Sequence, residues 1–241
     1  MVKYGCALLV ILTVGFACAL PVSAQPDGFR VEVAGGLGLI GIRPVVRACC
    51  ELRTPPAFTE VGSHEGAVEP AFGVRVRESG RTSTAVQAGW ARTGEVVLSY
   101  PPVEPQPPLS AYTSERRLRA RTFTVSASQA LDFPLGDRTR GYLAAGLVLS
   151  RQSWNQRDTS IRVDDPAVHR VEEAGWSFTR PGGALAGGLK LYTGKRFFAA
   201  AETGAVFLAA KEGEDENRAR WAVGRETRFF LRLQIGVGFL R

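Results

Sequence analysis

Few side chains in this chain are suited to nucleophilic or acid–base chemistry. The sequence contains two histidines, His64 and His169. His169, Glu172 and Ser177 supply the three groups of a Ser-His-acid triad, in which an imidazole takes the proton of a serine hydroxyl. No hydrolase pattern surrounds them, and His169 falls in a polar segment that we interpret as a loop. We therefore expect a solvated histidine and no catalytic residues.

Metal binding and redox chemistry have equally weak support in the sequence. Glu212 and residues 214–216 form an acidic run that offers oxygen ligands to a divalent cation, but the glycine spacing of a calcium loop is missing. Cys49 and Cys50 are neighbours, so their Cα atoms lie about 3.8 Å apart, which is closer than the usual span of a disulfide. They have no His or Cys companions at the spacing of zinc ligands. We expect a solvated acidic loop tip, two loop cysteines, no metal and no cofactor.

The N-terminus has the pattern of a signal peptide. Lys3 is followed by an uncharged apolar stretch over residues 6–20, and Pro21 ends that stretch. Residues 22–24 read Val-Ser-Ala, a small-residue cleavage site. The apolar stretch is short for a spanning helix, which needs roughly 20 residues, so an uncleaved anchor is the less favoured alternative. We predict a signal peptide over residues 1–24 and one mature domain over residues 25–241.

Composition and charge exclude two broad classes. The chain is 45% hydrophobic and 22% charged, which is not the composition of a disordered protein. Its net charge of +7 comes mostly from arginines that are scattered along the sequence. Nucleic-acid binding is typical of basic residues gathered into one patch, so we expect no nucleic-acid partner.

The mature sequence alternates between apolar and small or polar residues. Eight such runs cover residues 29–39, 68–77, 85–90, 122–131, 142–150, 184–191, 197–207 and 229–239. The last run is the most regular, with six large apolar residues at the odd positions between Phe229 and Phe239. A period of two predicts strands. Most runs have about the ten residues that a tilted strand needs to cross a bilayer.

The connections between the runs alternate in length. Short connections fall at residues 78–82, 132–139 and 193–195, and long polar ones at 43–67, 94–117, 155–175 and 209–225. Short turns at one end and long loops at the other are typical of outer-membrane barrels. The predicted fold is all-β: an eight-stranded antiparallel up-and-down transmembrane β-barrel.

Four charged residues fall on the less apolar faces of the predicted strands. An eight-stranded barrel has an interior only wide enough for packed side chains, so charges inside it need partners. Glu32 and Arg75 lie on adjacent predicted strands near the short-turn end, and Glu202 and Arg232 lie on adjacent strands near mid-height. We predict that each pair forms inside the barrel; the alternative is that these charges face loops or water.

In strand count, loop asymmetry and final strand, the mature chain resembles the small eight-stranded outer-membrane barrels of the OmpA and OmpX type. Phe239, third from the end, resembles the C-terminal aromatic assembly signal of such barrels. The resemblance implies periplasmic chaperones and the barrel-insertion machinery as assembly partners, and location among the lipids of the Gram-negative outer membrane. The resemblance does not fix one function, because such barrels serve as structural anchors, adhesins, weak pores and enzymes. We predict a structural or surface-interaction role through the four long extracellular loops, with an unidentified ligand.

Two alternatives remain open from the sequence. One is a soluble periplasmic barrel, like a lipocalin, whose apolar strand faces turn inward to bind a small apolar ligand. Soluble surfaces carry roughly 25–35% charged residues, and neither face of these strands does. The other is a lipid A-modifying barrel enzyme that uses His169. The direction in which the apolar faces point separates the membrane barrel from the soluble one.

Overall fold

The computed structural model describes residues 30–43, 45–47, 58–60, 65–77, 81–100, 112–167, 169–193, 196–214 and 220–240. Within these ranges the chain forms thirteen strands: β1 (Arg30–Ile42), β2 (Val45–Arg47), β3 (Phe58–Glu60), β4 (Glu65–Arg77), β5 (Thr82–Thr93), β6 (Val96–Tyr100), β7 (Tyr112–Pro134), β8 (Thr139–Arg162), β9 (His169–Thr193), β10 (Phe197–Leu208), β11 (Lys211–Glu214), β12 (Arg220–Val223) and β13 (Glu226–Leu240). No helix in the described ranges is long and apolar enough to cross a membrane.

Eight of these strands form a closed antiparallel ring. Going round it, the order is β1, β4, β5, β7, β8, β9, β10 and β13, so each strand pairs with the next ring strand along the chain. The ring closes where β1 pairs with β13, with Val31 opposite Phe239 and Leu39 opposite Leu231. Closure leaves no unpaired strand edge around the wall. The predicted eight-stranded up-and-down barrel is confirmed.

The apolar faces of the ring strands point outward. Leu147 and Ile235 are 76% and 74% exposed, whereas Arg232, on the same strand as Ile235, is 6% exposed. The large apolar residues that the alternation places on one face lie on the outside of the wall on every ring strand. A barrel that stores an apolar ligand has the opposite polarity, so the lipocalin-like alternative is wrong. The outward belt is the surface that contacts lipid in the outer membrane.

Three neighbouring strands are about twice as long as the other five of the ring. β7, β8 and β9 have 23, 24 and 25 residues, whereas β1, β4, β5, β10 and β13 have 12 to 15. Their outer halves, together with β6, form a four-stranded sheet that we call the projecting sheet. The expectation of loops over residues 94–117 and 155–175 is therefore corrected, because much of both segments is paired strand.

Small residues on the inner face make room for large ones across a narrow lumen. A Cβ atom added to Gly89 would lie 2.5 Å from Glu69 Oε1, and one added to Gly188 would lie 2.6 Å from the hydroxyl of Tyr142. A Cβ atom at position 188 would also lie 2.6 Å from the backbone oxygen of Ala201, so this position requires glycine, whereas at position 89 the Glu69 side chain would have to move. The glycine-rich inner face thus lets long polar side chains reach across the barrel.

Candidate functional site

The first predicted pair, Glu32 and Arg75, lies inside the barrel, but each residue has other partners. The two are register partners on β1 and β4. The Glu32 carboxylate instead accepts hydrogen bonds from Lys190 Nζ at 2.6 Å and from the hydroxyl of Tyr192 at 2.8 Å. Lys190 and Tyr192 lie on β9, which is three strands away round the ring. The predicted partner is therefore corrected: in a narrow lumen the carboxylate reaches across rather than along the wall.

Arg75 belongs to a neighbouring cluster at the same end of the lumen. Its Nη1 atom lies 3.7 Å from Asp132 Oδ1, and Arg77 Nη2 lies 3.8 Å from Asp132 Oδ2. The Arg75 guanidinium also stacks over the ring of Tyr142, 4.2 Å from its centroid. Ser83 donates a hydrogen bond of 2.8 Å to Asp132. Asp132 falls in the segment 132–139 that the sequence predicts as a short turn, so the alternation does not identify it as an interior carboxylate.

The second predicted pair, Glu202 and Arg232, comes together. Arg232 Nη1 lies 3.3 Å from Glu202 Oε1, and the two are register partners on β10 and β13. Arg232 binds Glu69 more closely, with Nη2 and Nε at 2.6 and 2.9 Å from Oε2. Tyr142 donates a hydrogen bond of 2.7 Å to Glu202. Glu69 occupies the same inward face as Arg75 in the alternation of β4, so that pattern could have identified it.

A second layer of charge near the long-loop end was not predicted. Glu226 accepts hydrogen bonds from Arg228 Nε and Nη2 at 2.8 and 2.9 Å, from the Arg180 guanidinium, and from the backbone N–H of Arg43 at 3.0 Å. Arg180 also donates to Gln152 at 2.6 Å. All but Arg43 are buried. Arg180 lies four residues before the sixth apolar run and Glu226 lies next to a predicted loop, so the alternation does not mark either as an interior residue.

An apolar layer separates the two charged layers. Phe230 lies between Arg228 and Arg232 along β13 and packs in a buried cluster with Val148 and Val206. Trp154 and Trp176 extend this cluster, with ring centroids 6.5 Å apart. These tryptophans therefore line the interior of the barrel.

Cross-lumen bonds and packed apolar side chains together occupy the described interior. The surfaces that are open to a partner therefore lie on the outside of the molecule.

On the projecting sheet, the outward face carries charges that largely compensate one another. A recess of about 550 Å³ is lined by Glu95, Arg117, Arg119, Asn155, Gln156, Arg157, Glu173, Ala174 and Gly175. Arg119 Nη2 lies 3.1 Å from Glu95, and Arg117 Nε donates to Glu115 at 2.5 Å. Arg157 Nε lies 3.9 Å from Glu173. Each of these arginines thus has a carboxylate partner in water.

His169, Glu172 and Ser177 do not come together as a triad. All three lie on β9. Eight residues of extended strand separate His169 from Ser177, which corresponds to about 26 Å. His169 Nδ1 lies 3.3 Å from the carbonyl oxygen of Ala167, and Glu172 pairs with Arg170 at 2.5 Å. The geometry gives the lipid A-modifying alternative no support from these residues.

Several predictions lie outside the described residues. They are the signal peptide over residues 1–24, Cys49 and Cys50, and residues 215–216 of the acidic run. Glu212 lies exposed on β11. In the described part of the chain no three His, Cys, Asp or Glu side chains form a cluster able to hold a metal ion. Phe239, the predicted assembly signal, faces outward on the closing strand and is 58% exposed.

Several solved structures are similar to this chain at low sequence identity. No protein-family model matches the chain, and no curated protein does. Neisserial surface protein A is 13% identical, with a TM-score of 0.46, over 88% of this chain and 98% of that one. The attachment invasion locus protein of Yersinia pestis is 9% identical, with a TM-score of 0.41, over 88% and 99%. The outer membrane protein OprG from Pseudomonas aeruginosa is 8% identical, with a TM-score of 0.41, over 89% and 97%. The closed register and the outward apolar belt, not these scores, define this chain as an eight-stranded outer-membrane β-barrel.

Proposed function

We propose that this protein is an integral outer-membrane barrel with a structural and surface-interaction role, exercised through the projecting sheet and the long loops. The observation that carries the proposal is the closed eight-stranded ring with its apolar side chains turned outward. Such a wall is stable only where lipid covers it. The segments beyond the belt are then the part of the molecule that meets the cell's surroundings.

The interior supports an external role. Lys190 on β9 bonds to Glu32 on β1, and Arg232 on β13 bonds to Glu69 on β4, so polar side chains from strands that are not neighbours hold each other inside the lumen. A small apolar ligand would have to displace these ion pairs and would leave their charges unpaired in a low dielectric, which costs several kcal/mol per charge. The proposal therefore places recognition on the outside.

The projecting sheet is suited to presenting a surface at a distance from the membrane. β9 continues for twelve residues before Pro181, where its ladder with β10 ends with the bond from Ala209 N–H to the Pro181 carbonyl. Twelve residues of strand extend about 40 Å. On the inner face of the sheet, Arg116 forms a bidentate ion pair with Asp158, at 2.7 and 3.0 Å. Rigid strands of this kind carry a binding surface more firmly than mobile loops do.

We further propose that the protein has no catalytic activity of its own. His169 and Ser177, which belong to the triad that the sequence suggests, lie far apart along β9. A surface-interaction role needs no reactive group, because recognition by the exposed face is sufficient.

Membrane placement and orientation are tested together by epitope insertion. One tag is inserted between Asp165 and Pro166, at the tip of the β8–β9 hairpin, and a matched tag between Gly136 and Asp137, in the short β7–β8 turn. We expect both variants to fractionate with outer membranes after a carbonate wash and to shift in mobility on unheated gels. On intact cells, antibody should reach only the first tag. Recovery in the soluble periplasmic fraction, or labelling of only the second tag, would contradict the proposal.

Phe239 is proposed as the signal that the barrel-insertion machinery reads. It faces outward on the strand that closes the ring, so its loss removes little internal packing. Phe239→Ala should lower the amount of protein in the outer membrane while leaving the unfolding midpoint of refolded protein unchanged. Phe229→Ala is the matched control, because Phe229 is an outward phenylalanine on the same strand that is 70% exposed. Equal outer-membrane levels for the two variants would refute the assignment.

A further inference from the structure

Three arginines stand side by side on the outer wall, below the compensated charges of the projecting sheet. Arg92 on β5 is the register partner of Arg121 on β7. Arg151 on β8 is opposite Phe123, two residues from Arg121, which makes it the diagonal neighbour of Arg121. All three face outward and are exposed. We call this group the arginine triplet.

The arginine triplet has no counter-charge within the described part of the protein. Among the described residues, Arg92, Arg121 and Arg151 make no ion pair and no hydrogen bond. Like charges that lie directly opposite each other destabilise a sheet, as Arg92 and Arg121 do here, and diagonal neighbours are still within reach of long side chains. The arginines just above, Arg117 and Arg119, show the usual solution, since carboxylates from this chain bind them. The triplet therefore carries positive charge that the described residues do not balance.

The height of the triplet along the strands, relative to the membrane, indicates which molecules can supply its counter-ion. Trp90 and Phe123 are register partners and both face lipid. An outward Trp–Phe pair of this kind marks the boundary between hydrocarbon and headgroups. Arg92 and Arg121 lie two residues further out, about 7 Å along the strands, and Arg151 lies level with Phe123. The triplet is therefore placed at the level of the lipid headgroups, on the side of the long loops.

The patch is three strands wide and has neutral borders. On one side the register partner of Arg92 is Val68 on β4, and on the other the register partner of Arg151 is Thr179 on β9. A general attraction to an anionic membrane needs no such clustering, whereas a bound anion with several oxygen atoms does. A guanidinium binds two phosphate oxygens at once in a fixed geometry.

We propose that the arginine triplet binds the phosphate group of a phosphorylated glycolipid in the outer leaflet. Arg92 and Arg121 hold the phosphate between them, Arg151 contacts it from the β8 side, and Trp90 packs against the first methylenes of the acyl chains. This inference rests on the membrane placement proposed above. It deepens that proposal by giving the barrel a lipid with which it makes specific contact.

The test uses purified full-length protein in nanodiscs of phosphatidylcholine that contain a small fraction of bisphosphorylated lipid A. Lipid A that remains bound after gentle detergent extraction is measured by native mass spectrometry. The R92Q/R121Q/R151Q variant should retain lipid A about tenfold less well, because each charged hydrogen bond lost is worth a several-fold factor. The matched control R117Q/R119Q/R157Q removes the same charge from arginines that already have carboxylate partners, and should stay within about twofold of the parent protein.

Three further comparisons define the ligand. Dephosphorylated lipid A and phosphatidylglycerol should both be retained less than bisphosphorylated lipid A, and inorganic phosphate at millimolar concentration should not displace it. R92K/R121K/R151K keeps the charge without the two-pronged geometry and should fall between the parent and the glutamine variant. Equal retention by the glutamine variant, equal loss in the control, equal binding of phosphatidylglycerol, or displacement by free phosphate would each overturn the proposal.

Folding is checked separately by mobility on unheated gels. If the triple variant fails to shift, the single variant R121Q replaces it and should still lose retention several-fold, and an unchanged value would again overturn the proposal. Failure of the parent protein to enter outer membranes is a different result, and it would count against the proposed function instead.

Discussion

The arginines inside the barrel and those on the outside of the same wall are treated in opposite ways. Arg228, Arg180 and Arg232 are buried, and each bonds to at least one buried carboxylate of this chain. Arg92 and Arg121 are exposed and bond to none of the described residues. A guanidinium buried in the lumen is removed from bulk water, and a partner from the chain offsets that cost. At the level of the lipid headgroups, the membrane can supply the anion that pairs with a guanidinium.

Removing Glu226, the carboxylate at the centre of the charged layer near the long-loop end, should have the largest effect on the free energy of unfolding. Glu226→Ala leaves Arg180 and Arg228 buried without their shared anion, because both donate to that one carboxylate. Breaking a buried pair by removing one partner costs about 3–5 kcal/mol. The free energy of unfolding, measured by urea titration of protein refolded into lipid vesicles with tryptophan fluorescence, should fall by that amount.

Glu173→Ala is the matched control for this experiment. Glu173 pairs with Arg157 on the outside, and both side chains are more than half exposed. Exposed pairs contribute about 0–1 kcal/mol, so the control should leave the unfolding midpoint nearly unchanged. A similar loss for Glu226→Ala and Glu173→Ala would remove the contrast between the two sides of the wall.

The next effect concerns the predicted pair of Glu202 and Arg232. Glu202→Leu should cost roughly 1.5–3 kcal/mol, the scale of a charged hydrogen bond, because Arg232 keeps its closer contact with Glu69. Adding Arg232→Met should destabilise the barrel further, since Glu69 then loses its cation. Adding Glu69→Leu as a third change should recover stability, because no unpaired charge is left.

This series reverses an expectation that follows from the sequence alone. With Glu202 and Arg232 treated as an isolated pair, the double apolar replacement should be milder than the single one. Glu69 reverses the stability order of the single and double variants, because it is the nearer partner of Arg232 and is left unpaired in the double variant. If the double variant is more stable than Glu202→Leu, the contact between Glu69 and Arg232 does not contribute as the structure indicates.

The alternation of residues predicted the wall of the barrel, but it did not predict the contacts across it. Which face a residue occupies depends on its parity in one strand, so Leu231 and Arg232 are assigned to opposite faces from the sequence. Which side chains meet in the lumen depends on the stagger of all eight strands and on side-chain reach. Glu32 and Lys190 are 158 residues apart along the chain, and no local pattern relates them.

The projecting sheet was missed for a different physical reason. Outside the membrane, neither face of a strand needs to be apolar, so the period of two loses its hydrophobic signal. Segments such as residues 155–162 are rich in polar residues and therefore indicate a loop. The structure shows them in paired strands, joined by contacts such as that between Arg116 and Asp158. Charged cross-strand pairs of this kind are invisible to a pattern based on hydrophobicity.

A smaller effect is expected from Tyr142→Phe. The phenol donates one hydrogen bond to Glu202, whose carboxylate also contacts Arg232. Loss of this donor removes one of two contacts and leaves no charge unpaired, so the cost should be about 1 kcal/mol. The phenyl ring still stacks beneath Arg75. A loss of stability as large as that expected for Glu226→Ala would mean that the tyrosine hydroxyl, and not the ion pairs of Arg232, holds this charged layer together.

The smallest effect on stability should come from the outer arginines. In vesicles of phosphatidylcholine alone, R92Q/R121Q/R151Q should change the free energy of unfolding by less than about 0.5 kcal/mol, as surface substitutions usually do. The sign should be stabilising, because the change relieves repulsion between neighbouring like charges. In vesicles that contain phosphorylated lipid A the sign should reverse, since the parent protein then gains a ligand that binds only the folded state. Urea titrations in the two lipids give both values, and a stabilising change of the same size in each would show that the exposed arginines gain nothing from the phosphorylated lipid.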